Sequence, residues 1–231
     1  MEFEVCIDSI EGAIAASKYN AKRVELCAAL SEGGLTPSLG MIEACVKNSK
    51  SEVYVMIRSS AGGFDYSEEE LELMERDIRA AASVGAHGVV FGVLNGLNEV
   101  DVKKNTFLIE TAMELGLGTT FHRAIDLCVD PIEALEHIIN LGFDRILTSG
   151  SKRTALEGIE IIEELVKVAD GRIEIMAGSG IYQKNAELFM NFGLNALHFT
   201  AKKTVIEGLK LDMGPKYVVD EEKIEGVVNS K

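Results

Sequence analysis

Short apolar runs recur along the chain, separated by stretches with helical periodicity. The runs are rich in β-branched residues and short enough to be buried strands rather than helices. We predict eight strands, at Phe3–Ile7, Arg23–Ala28, Glu52–Arg58, Gly88–Leu94, Gly118–Ala124, Arg145–Ser149, Arg172–Gly178 and Ala196–Ala201.

The stretches between the strands place apolar residues on one face at the helical period. The clearest is Ser67–Val84, where Leu71 and Ile78 share a face and Ser67 with Glu70 forms a capping box. Further helices are predicted around Ser9–Lys18, Ser38–Val46, Val102–Leu115, Ile132–Asn140, Thr154–Val168, Gln183–Asn191 and Asp220–Asn229.

Glycines suited to a left-handed helix cap precede several strands, at Gly85, Gly142 and Gly193. Eight alternations of strand and helix with short loops predict a (β/α)8 TIM-like barrel of class α/β. We expect a single domain over residues 1–231, with a C-terminal tail and last helix at about 202–231. A doubly wound open sheet is the alternative.

Alternation along each strand predicts which side chains enter the barrel, because the apolar face of a strand should contact the helices. The residues expected inside are Cys6, Asp8, Glu25, Cys27, Met56, Arg58, Thr120, His122, Met176, Gly178 and His198. Active sites of this architecture lie at the C-terminal mouth.

Composition narrows the class of protein. The chain has 231 residues, 47% of them hydrophobic, and a formal charge of −14, which repels nucleic-acid phosphates and anionic lipids. No signal-like segment or membrane-length apolar run is visible. The four cysteines form no CxxC pair and should be free thiols. We therefore expect a cytoplasmic protein without nucleic-acid or membrane partners.

The stretch Gly118–Asp126 places several side chains that can transfer protons or bind an anion within a few residues. It reads as a strand that presents His122, Arg123 and Asp126 at its end. Asp130 and Pro131 then predict a helix start, with Glu133 reaching back to the cap. The polar cluster should lie on a β-to-α loop, where site residues concentrate.

His122, His198 and Glu25 could supply general acid and base at this mouth. The alternative is a structural network in which Arg58 neutralises Glu25. The small residues of two late loops could bind an anion through free backbone N–H groups, helped by Lys202 and Lys203, or could be ordinary turns. These loop residues are Thr148, Gly150, Gly178, Ser179 and Gly180.

Cys6 and Cys27 face inward on adjacent strands and could converge on one soft ion, with Met56 or Met176 as further sulfur ligands. Such residues are more often core packing, so the residues alone leave both interpretations open. The glycine-rich loop at 59–67 could be a lid or an oligomer contact.

Several segments resemble the CutC family, named for copper homeostasis. They are Arg23–Ala29, Glu32–Ser38, Ile57–Arg58, Phe121–Asp126, Leu147–Gly150 and Ile175–Gly180. The resemblance implies a TIM-like barrel, a cytoplasmic location, a homodimer or higher homo-oligomer, and Cu(I) binding at the positions of Cys6 and Cys27. It also implies that Glu25, Arg58, His122, Arg123, Asp126 and His198 form a polar mouth.

Two hypotheses follow. In the first, the protein is a copper-homeostasis protein that holds Cu(I) at Cys6 and Cys27. In the second, it is a metal-independent enzyme acting on a small anionic or phosphorylated metabolite, with Glu25 and His122 as acid and base and Arg58 and Arg123 clamping the anion. Whether it is an enzyme stays open at this stage.

Overall fold

The computed structural model describes residues 1–190, 193–206 and 216–230. Strands and helices alternate along most of it. The strands are β1 Glu2–Ile7, β2 Arg23–Leu26, β3 Glu52–Met56, β4 Gly88–Phe91, β5 Gly118–Phe121, β6 Arg145–Thr148, β7 Glu174–Ala177, β8 Ala196–Thr200, β9 Lys202–Ile206 and β10 Lys216–Val219.

The helices are α1 Ile10–Lys18, α2 Leu39–Asn48, α3 Glu68–Ser83, α4 Val102–Glu114, α5 Pro131–Leu141, α6 Ile159–Ala169, α7 Gln183–Ala186 and α8 Glu221–Val228. Short 3-10 turns lie at Leu30–Glu32, Arg123–Leu127 and Glu187–Phe189.

Strands β1 to β8 form a closed parallel barrel in chain order. Closure joins β1 to β8, with Glu4 opposite His198 and Cys6 opposite Thr200. On its other side β1 pairs with β2, where Cys6 lies opposite Glu25. The predicted (β/α)8 barrel is confirmed, and the β1–β8 pairing excludes the open sheet.

Burial follows the predicted alternation. Val5, Val24, Val53 and Phe121 pack between the strands and the helices as part of the main core. Their neighbours along each strand face the barrel interior, so the polar residues among them share one enclosed space.

Most predicted helix starts are confirmed. Ser67 and Glu70 form the capping box of α3. The Asp130 side chain accepts from the N–H groups of Ile132 and Glu133 at the start of α5. Glu133 does not reach back to the cap as predicted; its carboxylate lies 3.9 Å from His137 Nε2, one turn along the helix.

The structure differs from the prediction mainly at element ends. Most strands stop one to three residues before the predicted end, because the following residues turn into the mouth loops. Helix α6 begins at Ile159 rather than Thr154, and α7 is a short helix followed by a 3-10 turn. The predicted end of that helix, Asn191, lies outside the described residues. The tail also contains the antiparallel β9–β10 pair, which the pattern did not reveal.

Candidate functional site at the barrel mouth

A cavity of about 360 Å³ opens where the barrel strands end. The predicted residues that line it are Cys6, Glu25, Arg58, His122, Arg123, His198, Ser179 and Gly180. Cys27, Asp126, Thr148, Gly150 and Gly178 are not among its lining residues. The closed barrel thus brings together residues that are as far as 192 positions apart in the chain, Cys6 and His198.

Cys6 lines this cavity, and Cys27 lies next to Cys6 but is not itself a lining residue. Their sulfur atoms and a carboxylate oxygen of Glu25 all lie within 4.8 Å of one another. The Cys27 thiol lies 3.6 Å from Glu25 Oε2. Both cysteines are buried in a cluster with Met56 and Tyr54, and both are free thiols.

His198 lies between two buried carboxylates. Its Nδ1 is 2.8 Å from Glu4 Oε1, and its Nε2 is 3.6 Å from Glu25 Oε2. Glu4 is 0% exposed and also binds Arg23 Nε at 3.0 Å. The imidazole ring therefore connects the ionic groups deep in the barrel with the cysteine cluster at the mouth.

The protonation states of this group follow from its contacts. Burial alone raises the pKa of Glu4, but the hydrogen bond and charge of His198 lower it overall. Burial lowers the pKa of His198, but the charges of Glu25 and Glu4 and a hydrogen bond with Cys6 raise it well above its usual value. A Glu4 carboxylate paired with a His198 imidazolium is the form expected at neutral pH.

The pKa values of Glu25, Cys6 and Cys27 do not all shift in the same direction. Burial raises the pKa of Glu25 well above its usual value. A hydrogen bond from Cys27 lowers the pKa of Cys6 to about 5 despite burial, and His198 acts in the same direction. The pKa of Cys27 rises well above its usual value through the same hydrogen bond and through burial. Cys6 is consequently the thiolate of the pair.

His122 is buried against the ring of Phe64, with ring centroids 4.6 Å apart. Burial and the charge of Arg58 lower the pKa of His122 to about 3, so the ring is neutral at physiological pH. The Ala124 amide donates to its Nδ1 at 3.3 Å, which leaves the proton on Nε2. This Nε2 atom is buried and has no partner among the described residues.

Arg58 holds two loops of the mouth together. Its guanidinium donates to the carbonyl oxygens of Glu32 at 2.8 Å, Gly34 at 3.1 Å and Gly62 at 3.0 Å. Within the described part of the chain it forms no ion pair, so the alternative network in which Arg58 neutralises Glu25 is not observed. Only its buried Nε remains without a partner there.

Asp126 organises the loop after β6 rather than the cavity. Its carboxylate accepts from Arg123 Nε at 2.8 Å, Thr148 Oγ1 at 2.6 Å and the amides of Ser149 at 3.0 Å and Ser151 at 3.1 Å. Thr148 and Asp126 are thus engaged with each other, and Arg123 has only part of its guanidinium free.

Two of the three glycines in the predicted anion loops have packing roles. A Cβ on Gly150 would lie 2.2 Å from the Gly158 carbonyl oxygen, and a Cβ on Gly178 would lie 2.6 Å from Leu147 Cδ1. Gly150 also has a positive φ of 68°. The loop after β6 is therefore closed by internal contacts, whereas Ser179 and Gly180 remain at the cavity surface.

Asp8, which was expected inside the barrel, lies elsewhere, whereas Met176 faces inward as predicted but apart from the cysteines. Asp8 is exposed and lines a separate cavity of about 480 Å³ beside the start of α1 and the β9–β10 pair. Met176 packs with Leu147 and Ala196, away from the cysteine cluster. Asp8 departs from the alternation because the chain leaves the strand at Ile7.

An ionic layer lies beneath the cysteines and was not predicted from the sequence. Arg23 is 2% exposed, binds Glu4, and lies 5.3 Å from the Tyr54 ring centroid. Arg145 lies 5.6 Å from the same ring. The strand alternation could have predicted this layer. Glu4 lies two residues before Cys6 and Arg23 two residues before Glu25, so each shares the inward face of its strand.

Across the residues that the structure describes, none of the helices combines the length and apolar character needed to span a bilayer.

Fold and site together define a class: a parallel (β/α)8 barrel with a polar cavity, two thiols and buried carboxylates at its C-terminal mouth. The sequence model described as "CutC family" matches residues 1–203. The chain belongs to the CutC family.

Individual relatives agree with this assignment. A CutC family protein of Vibrio cholerae is 50% identical over 204 residues, which cover 88% of this chain and 80% of the relative. A CutC family protein of Pasteurella multocida is 47% identical over 87% of this chain and 82% of the relative's chain. A crystal structure of CutC from Streptococcus agalactiae, whose name refers to copper homeostasis, superposes with a TM-score of 0.81 at 33% identity, over 86% of this chain and 98% of that one.

Proposed function

We propose that this CutC family protein takes part in copper homeostasis and binds Cu(I) as cargo at Cys6 and Cys27. The observation that carries the proposal is the convergence of the two buried sulfurs within 4.8 Å of each other beside an open cavity. Two thiolates on one zinc ion, at about 2.3 Å each, are at most about 4.6 Å apart, which gives the scale for a soft ion shared by two thiolates. The separation therefore suits a shared ion with little movement of either strand.

The donor chemistry supports the same ion. Soft thiolate and thioether ligands select Cu(I) over the hard divalent cations. A Cβ on Gly34 would contact both Cys27 Sγ at 3.1 Å and Met56 Cε at 3.7 Å, so the Met56 thioether is near the pair. Met176 is in a separate cluster and is the less suitable third ligand.

Charge around the thiols favours a monovalent cation. Cys6 is a thiolate with a pKa of about 5, so binding needs to release a proton from Cys27 only. Burial raises the pKa of the neighbouring Glu25, which opposes an excess of negative charge in the buried cluster.

An anaerobic Cu(I) titration against a competing chelator tests the proposal. Wild type should bind one Cu(I), and Cys6→Ser with Cys27→Ser should abolish that binding. Cys45→Ser with Cys128→Ser is the matched control, because those buried thiols lie outside the cluster. Binding that survives the first double substitution, or that is lost equally in the control, would refute a site at these cysteines.

A second candidate function is a metal-independent enzyme acting on a small anionic metabolite. The observation that favours it is a set of three buried polar atoms without partners among the described residues, Glu25 Oε1, Arg58 Nε and His122 Nε2, on side chains that line one cavity. Buried polar groups are nearly always paired, so such a set suits a polar ligand. In this function Glu25, whose pKa is raised by burial, acts as acid and the neutral His122 as hydrogen-bond donor.

The two candidates make opposite demands on the cysteines. Activity on a metabolite found by screening should survive Cys6→Ser with Cys27→Ser and be lost in Glu25→Gln. Loss in the cysteine variant and survival in the glutamine variant would remove the enzyme candidate.

We also propose a cytoplasmic location and a homodimer or higher homo-oligomer, as the family resemblance implies. Light scattering after size-exclusion chromatography tests the assembly, and a mass of 25.1 kDa, that of one chain, would contradict it. Cell fractionation tests the location.

A further inference from the structure

The loop after β7 has polar groups that are engaged with protein and others that are not. The Ser179 hydroxyl donates to Arg153 O at 2.8 Å, and Ala155 N donates to Ser179 O at 3.0 Å. The Gly180 carbonyl accepts from Asn185 Nδ2 at 2.8 Å. These contacts fix the loop through its hydroxyl and carbonyl groups.

The backbone N–H groups of the same loop have no such partners. Among the described residues, no acceptor faces the amides of Ser179, Gly180 and Ile181, whereas the amides of Gly178 and Tyr182 on either side are both bonded. Ser179 and Gly180 have φ angles of 77° and 72°. Consecutive free amides in a turn of this kind form a concave anion-binding nest, and all three residues line the mouth cavity.

Two lysines line the cavity as well. Neither Lys202 nor Lys223 forms an ion pair with any described residue. Lys202 follows β8, the strand beside β7, and its ammonium lies 4.3 Å from the Tyr217 ring centroid. Lys223 lies in α8, which packs on the start of α7. Two cationic side chains therefore line the same cavity as the free amides, in a chain whose net charge is −14.

The opposite wall supplies an independent sign of a ligand. Glu25, Arg58 and His122 are each more than nine-tenths buried, line the same cavity, and carry an unpartnered polar atom. Burial of such atoms is costly unless a ligand or water pairs them. One end of the cavity thus suits an anion and the other a neutral polar group.

We propose that the cavity binds a small phosphate monoester, with its phosphate at the amides of Ser179, Gly180 and Ile181 between Lys202 and Lys223. Several convergent donors suit the three terminal oxygens of a phosphate dianion better than the two of a carboxylate. The cavity of about 360 Å³ is at the small end of ligand sites, so the remainder of the ligand is a short hydroxylated or carbonyl chain that reaches Glu25 and His122.

This assignment replaces the expected clamp of Arg58 and Arg123. The terminal nitrogens of Arg58 bind carbonyl groups, and Arg123 is paired with Asp126. The inference deepens the second candidate function by naming the class of its ligand, but the phosphate subsite itself requires no turnover.

Isothermal titration calorimetry of the full chain with inorganic phosphate and methyl phosphate tests the subsite, with acetate as the carboxylate arm. Both phosphates should bind, and acetate should bind much more weakly. Lys202→Met with Lys223→Met should reduce phosphate affinity roughly tenfold or more, because two charge-assisted hydrogen bonds are lost. Lys103→Met with Lys184→Met removes the same charge from exposed residues that do not line the cavity and should leave affinity within about twofold.

A third variant tests the amides. Gly180→Ala adds a Cβ 3.1 Å from the Thr154 side chain at a positive φ, and should weaken phosphate binding while circular dichroism shows a folded barrel. Absence of phosphate binding in wild type, equal binding of acetate, or unchanged affinity in the lysine variant would each overturn the inference.

The outcomes separate this inference from the proposed functions. Inorganic phosphate should bind Glu25→Gln as it binds wild type, since the carboxyl belongs to the other end of the cavity. Phosphate binding without any Glu25-dependent turnover would refute the enzyme and leave the subsite. Failure of phosphate to bind would leave the copper proposal untouched.

Discussion

Glu4→Gln removes one negative charge from the interior of the barrel while almost preserving shape. Glu4 is 0% exposed and accepts from Arg23 Nε at 3.0 Å and His198 Nδ1 at 2.8 Å. The glutamine oxygen can accept from one of these donors, but the glutamine NH2 group then faces the other donor and cannot accept from it. The substitution therefore leaves a buried cation without its counter-charge.

The expected loss of unfolding free energy is about 3–5 kcal/mol, the usual cost of breaking a buried ion pair on one side. Arg23 retains Glu2 at 2.9 Å and Glu52 at 3.2 Å, so most of the loss comes from His198. The free energy of unfolding of a native domain is about 5–15 kcal/mol, so the expected loss would be a large fraction of the stability.

Urea unfolding followed by circular dichroism measures the difference. Glu52→Gln is the matched control, because Glu52 binds the same arginine but its side chain is 32% exposed, and its loss should be about 1 kcal/mol or less. Equal losses in the two variants would refute the claim that burial makes the Glu4 pair costly to break.

The pH dependence of the difference gives an independent check. The folded-state pKa of Glu4 is lowered, so its contribution is present above its unfolded value near 4.5 and lost as pH falls through the folded value. The pKa of His198 is raised, so its contribution is full below its unfolded value near 6.5 and lost as pH rises through the folded value. The difference in unfolding free energy between wild type and Glu4→Gln should be largest between pH 4.5 and 6.5. A larger difference above that window would contradict the pairing.

Three further predictions concern other parts of the mouth. The rate at which iodoacetamide alkylates Cys6, with the rate in Cys6→Ser subtracted, should be half-maximal near pH 5, because the thiolate is the reactive form. A midpoint near pH 9 would contradict the contacts that lower the pKa of Cys6. Gly150→Ala should destabilise in urea by about 1–3 kcal/mol more than Gly116→Ala, since both have φ near 70° but only Gly150 meets backbone; equal losses would remove the packing role. Asp126→Asn should cost about 1–3 kcal/mol in the same assay, whereas Asp130→Asn at an N-cap should cost almost nothing; similar values would show that Asp126 does not organise its loop.

Much of the fold could be predicted because it follows from local periodicity. Alternation along each strand separates the helix-facing valines from the inward polar residues, and it identified Cys6, Glu25, Arg58, His122 and His198 as inward. Capping residues marked most helix starts for the same local reason. Strand ends were less accurate, because apolar residues continue into the mouth loops.

The sequence by itself determined the inward set, but only the tertiary structure decided which members meet. Closure of β1 on β8 puts Glu4 beside His198, a pair separated by 194 positions that no local pattern could reveal. The same packing turned Arg58 towards loop carbonyls and engaged Asp126 with the loop after β6. Periodicity fixes the direction of a side chain from its own strand, whereas hydrogen-bond partners and protonation depend on neighbours that only the closed barrel supplies.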